Sequence, residues 1–147
     1  MTVLTPAFER DVRPILIECS AKQRGKPRIR RRAVEIASVA SDWKQEVRES
    51  ENLVAGFRTV FTLYRTERNY ILQVMGESSV PERFNPRYKV VEFDTPQEFI
   101  AKLADTSDNT VYWSPLTETL LDRVQDSEYL TARELENWLK AMVEEEE

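Results

Sequence analysis

The chain has 147 residues, 41% hydrophobic and 32% charged, with a net charge of −5, three glycines, one cysteine and no histidine. This composition suits one globular domain with a single core and excludes a fibrous or low-complexity chain. Without histidine and with a lone Cys19, nucleophile systems that need a His base and a structural zinc site with four Cys or His ligands are excluded as well.

No apolar run approaches the roughly 20 residues that span a bilayer, and the first residues lack a basic region followed by an apolar stretch. A cytoplasmic location without a membrane partner is therefore expected. Charge is unevenly spread. Residues 1–32 hold nine basic and three acidic side chains (+6), residues 33–104 nine and eleven (−2), and residues 105–147 three and twelve (−9).

In chain order, Thr5 as N-cap and Pro6 in the first turn open a helix on which Phe8, Val12, Ile15, Leu16 and Cys19 recur at helical spacing. Pro14 would kink it, and the rival reading leaves Ile15 to Cys19 as a short strand. Arg28 to about Ala40 turns to β-branched and small residues and reads as a strand, with Val34 and Ile36 on the parity of Arg30 and Arg32. A helix with Ala33, Ile36, Ala37 and Ala40 on one face is the alternative. Residues 42–55, polar and acidic around Trp43 and Val47, read as a connection or short helix.

Residues 57–64 alternate Phe57, Thr59, Phe61 and Leu63 with Arg58, Val60, Thr62 and Tyr64, and a second run follows from Tyr70 to Met75. Across the polar turn Thr66 to Asn69 they predict a hairpin. Tyr88 to Phe93 is a further strand after a loop ordered by Pro81, Phe84 and Pro86. Asp94 or Thr95 before Pro96, Ser114 before Pro115, and Thr131 with Glu134 mark three helix starts. Their inward residues are expected to be Phe99, Ile100 and Leu103, then Leu116, Leu120, Leu121 and Val124, then Leu135, Trp138, Leu139 and Met142. Trp113 is also expected in the core.

The predicted fold is a single α+β domain over residues 1–147. It comprises an antiparallel β-meander of about four strands with an N-terminal helix, about three C-terminal helices packed on one face, and a frayed acidic tail at 144–147.

Seven of the eleven residues from 22 to 32 are basic: Lys22, Arg24, Lys26, Arg28, Arg30, Arg31 and Arg32. In a strand, Arg28, Arg30 and Arg32 project to one side, where guanidinium forks suit carboxylate or phosphate. The same charges also protect a strand edge from aggregation. Aromatic residues for base stacking are absent from the run, and only Tyr64 and Tyr70 stand near enough to supply them. Trp43, in a polar stretch, is a candidate exposed anchor.

Carboxylate chemistry has two weak candidates. Asp42-Trp43-Lys44 has the acid-x-Lys spacing of metal-dependent nucleases, with Glu35 upstream on the same strand, and Glu92 and Asp94 share one parity.

These residues predict a non-enzymatic binding protein, a small regulatory or accessory factor acting through a charge-polarised surface, with no cofactor. Its partner is a protein or a second copy of itself, and its site comprises the seven basic residues and Trp43. A nucleic-acid-binding protein using residues 22–32 is the alternative, and a metal-dependent carboxylate hydrolase or nuclease the remote one.

Overall fold

A computed structural model describes residues 4–19, 28–48, 53–80, 84, 86–105 and 113–143. In chain order they form α1 (Pro6–Asp11), β1 (Arg13–Glu18), β2 (Arg28–Ala40), β3 (Lys44–Arg48), β4 (Leu53–Thr66), β5 (Tyr70–Ser78) and β6 (Arg87–Phe93). Three helices follow: α2 (Pro96–Ala104), α3 (Pro115–Val124) and α4 (Ala132–Met142). The chain is α+β, and all strand pairs are antiparallel, in the order β1-β2-β4-β5-β6.

The predicted hairpin is the centre of the sheet. β4 and β5 pair from Phe57↔Ser78 to Arg65↔Tyr70. Their turn is organised by Thr66, whose Oγ1 accepts the backbone N–H groups of Arg68 at 3.0 Å and Asn69 at 2.8 Å. β2 lies along residues 60–66 of β4 and β3 along residues 53–57, so the two are one interrupted strand. Ser41 bridges the interruption: its N–H donates to the Thr59 carbonyl at 2.8 Å and its Oγ accepts the Thr59 N–H at 2.9 Å.

Alternation divides the sheet into two faces. One carries Val39, Phe61, Leu63, Tyr70, Leu72 and Phe93 beneath the helices, which contribute Phe99, Leu103, Leu120, Val124 and Trp138 to a common core. Tyr70, Phe93 and Phe99 stack in series at centroid spacings of 5.2 and 5.0 Å, with Trp138 edge-on to all three.

Over the second face the sheet curls, and the β1–β2 ribbon folds across it. Gln73 Nε2 donates to the Glu18 carbonyl at 3.1 Å, and Arg31 pairs with Glu92 at 3.6 Å. Ile17 and Ile71 are completely buried. Each such side chain is worth roughly 1.5–3 kcal/mol, against about 0–1 kcal/mol for an exposed ion pair, so apolar burial holds the ribbon down and Arg31–Glu92 only aligns it.

The three predicted helix starts are present. Thr95, Ser114 and Thr131 each accept a backbone N–H three residues on, and Ser114 and Thr131 close capping boxes. Thr5 does the same for α1.

Several expectations are corrected. The sheet has six strands rather than four, because β1 and β3 replace the second half of the first helix and the connection at 42–55. The helical repeat from Phe8 to Cys19 breaks at Val12, and Pro14 is tolerated in β1 because that strand ends the sheet order, with no strand on its other edge among the described residues. Ile36 packs against the main core, as expected from its parity with Val34, but the alternation does not continue past it: a register shift between Glu35 and Ala37 adds one residue and turns Ala37 and Val39 toward the helices as well. α1 is not part of the helical layer that fills the core: Phe8 is buried outside the main cluster, and the Tyr129 hydroxyl donates to Asp11 at 2.7 Å to hold the helix. Trp113 and Leu139, expected inside, are 42% and 46% exposed. The tail at 144–147 lies outside the described residues.

Candidate functional site

In the β1–β2 ribbon the register sets Pro14 opposite Arg32, Leu16 opposite Arg30 and Glu18 opposite Arg28. Ile17 is driven into the interior, so the residues on either side of it must face out. Leu16 is accordingly 53% exposed, and Arg28, Arg30 and Arg32 are all exposed. Arg28 Nε lies 3.2 Å from Glu18 Oε2, whereas Arg30 and Arg32 have no acidic partner among the described residues.

The outer face of the ribbon continues the helix-bearing face of the sheet. Val34 shares the parity of Arg32 and lies opposite Arg65, which reaches α4. Arg31 points the other way, to Glu92, while its Nη1 donates to the Arg30 carbonyl at 3.0 Å. Of the four predicted arginines among the described residues, Arg28, Arg30 and Arg32 thus form one stripe and Arg31 does not join it. Lys22, Arg24 and Lys26 lie outside the described residues.

Trp43 is exposed, as expected, but stands apart from the stripe on the second face, beyond the Ser41 bridge. Its ring lies over Gly56, where a Cβ would meet Cε3 at 3.3 Å, and the Arg58 guanidinium sits 4.5 Å from the ring centroid. Arg58 is itself bound to Glu77 at 2.8 Å. Neither tyrosine considered for stacking adjoins the arginines: Tyr70 is buried under the helices and Tyr64 is half-buried on the second face.

The carboxylates are scattered. Glu92 is shared between Arg31 and the Asn69 side-chain amide, which donates at 3.3 Å. Among the described residues, no three acidic or thiol side chains come together as a metal-binding group, Glu35, Asp42 and Asp94 included. Burial first, then the charge of Glu92, pushes the Cys19 thiol up, away from a reactive thiolate.

Two further features escaped the sequence reading. Glu118, Asp122 and Asp126 follow at four-residue intervals along the exposed side of α3 and the turn after it, with no ion pair among the described residues. Between this end of α3 and the unpaired edge of β2 lies an open cleft of about 560 Å³, lined by residues 35–38, Arg123, Asp126 and Ser127. Arg123 Nη1 donates across it to the Ser38 carbonyl at 3.1 Å, covering that edge. The helical spacing of the acidic residues was visible in the sequence; the cleft was not.

No protein-family model, curated protein or solved structure matches this chain.

Proposed function

We propose that the chain is a non-enzymatic binding protein that engages an acidic protein surface through the outer face of the β1–β2 ribbon. The observation that supports this most is the pair Arg30 and Arg32, exposed and without acidic partners among the described residues, facing Leu16 and Pro14 across the ribbon. An exposed leucine beside two uncompensated guanidiniums matches a partner that offers both carboxylates and apolar contact. A polyphosphate backbone would use the arginines but not the leucine, and among the described residues neither Tyr64 nor Tyr70 stands beside them to stack a base.

The test is binding of a fluorescent peptide rich in Glu and Leu to the wild type and to Arg30→Ala/Arg32→Ala. The double variant should bind at least about tenfold more weakly, equivalent to about 1.4 kcal/mol, with an unchanged melting temperature. Equal binding by both proteins would refute the reading. Tighter retention of mixed-sequence nucleic acid than of the peptide would assign the same arginines to phosphate instead.

A further inference from the structure

The ribbon arginines and the acidic stripe of α3 lie on the same side of the sheet and follow one another along β2. Arg28, Arg30 and Arg32 occupy its first residues, and α3 packs beside Ser38 near its end. Both stripes have members without ion pairs among the described residues, and both consist of exposed side chains.

Their spacings agree. Alternate residues of a strand stand about 6.7 Å apart. Residues four apart on a helix rise about 6.0 Å. Over the two helical positions Glu118 and Asp122 the mismatch is only about 0.7 Å, well within the reach of an arginine side chain, and Asp126 follows in the turn after α3. Arg123, beside Asp122 in the helix, turns its guanidinium onto the Ser38 carbonyl and forms no ion pair with the acidic row among the described residues. Basic and acidic stretches that follow one another along β2 are self-complementary about a twofold axis, each ribbon lying on the α3 of the other copy.

We infer that the acidic surface recognised by the ribbon is α3 of a second copy of this chain, in a reciprocal dimer with Arg28, Arg30 and Arg32 of each copy on Glu118, Asp122 and Asp126 of the other. The inference rests on the ribbon reading above and names its partner.

Charge exchange tests it. One variant carries Arg30→Glu and Arg32→Glu, the other Asp122→Lys and Asp126→Lys. The second pair is chosen at the C-terminal end of α3, where lysine suits the helix dipole and folding is spared. By sedimentation, the wild type should dimerise at about 0.01 M salt and dissociate at about 1 M, as the screening length falls from about 30 Å to about 3 Å.

Each variant alone should self-associate at least about tenfold more weakly than the wild type. An equimolar mixture should recover the dimer, because both contacts are again complementary. The neutral variant Asp122→Asn/Asp126→Asn should weaken association without reversing it, and circular dichroism checks that every variant is folded. A monomeric wild type at low salt, undiminished association of the single variants, or a mixture that stays monomeric would each overturn the inference. If the wild type is monomeric yet binds the acidic peptide through Arg30 and Arg32, the self-recognition fails and the ribbon reading stands; if it binds neither, both fail.

Discussion

Arg65 of β4, buried, and Glu134 of α4, half-buried and 69 positions away, form an ion pair in which Arg65 Nε donates to Glu134 Oε2 at 2.8 Å. The remaining hydrogen-bonding capacity is largely used. Arg65 also donates to the Thr66 carbonyl, and Glu134 accepts from the Tyr70 hydroxyl at 3.3 Å and from the Thr131 N–H at 3.0 Å. One carboxylate therefore closes the cap of α4 and fastens that helix to the central hairpin. Glu134→Ala leaves a 3% exposed guanidinium uncompensated and should cost about 3–5 kcal/mol in urea denaturation. Replacing both residues, as Arg65→Met/Glu134→Leu, should recover most of that loss, because no charge is then left buried.

Tyr70 makes the same region sensitive to alkali. Burial first, and then the charge of Glu134, pushes its hydroxyl up to about 12. The unfolded phenol ionises near 10, so this contribution is intact below about pH 10 and is lost as pH rises from about 10 toward 12. Phenolate absorbance should show the highest-pH step in the wild type and lack it in Tyr70→Phe. The phenylalanine variant should also lose less stability between those two pH values. An identical titration curve for the two proteins would contradict the assignment.

Gly56 serves a close approach rather than a turn. The Trp43 ring occupies the space a side chain would take, and the Ser79 hydroxyl lies 3.5 Å from the same point. In Gly56→Ala the half-exposed ring, 45% accessible, is free to move by the few tenths of an ångström required. Stability should change by less than about 1 kcal/mol, while the ring shifts from its stack with Arg58 and its fluorescence changes. A larger loss of stability would mean that Trp43 is held more firmly than its exposure indicates.

The parts of the fold legible in the sequence are those whose signals are local. The β4–β5 hairpin announces itself by alternation around a polar turn, and each C-terminal helix by a hydroxyl side chain followed by proline or a glutamate at the third position. β3 was illegible because Lys44 to Arg48 has one apolar residue, Val47, and so no repeating pattern to display. β1 was legible only as the rival reading of Ile15 to Cys19, because Phe8, Val12, Ile15, Leu16 and Cys19 fit a helical repeat, whereas within β1 it is Ile17, outside that repeat, that is buried. The bulge at Ile36 adds one residue to one strand and leaves no compositional trace. Trp113 and Leu139 show that an apolar residue on an amphipathic pattern need not be covered when it falls at the margin of the buried face. For the candidate site, the common projection of Arg28, Arg30 and Arg32 followed from strand parity alone. Their association with Leu16, and the separation of Trp43 from them, depended on pairings the sequence does not display.

The hydrogen bond between Tyr129 and Asp11 closes a loop of 118 positions. In a chain made at about 5–20 residues per second, the first helix waits roughly 6–24 s before its partner is synthesised. β1 and β2 are complete long before α3 and α4 exist to cover the sheet, so the ribbon spends that interval with an open strand edge. Three like charges on its exposed face oppose edge-to-edge pairing with a neighbour throughout that interval.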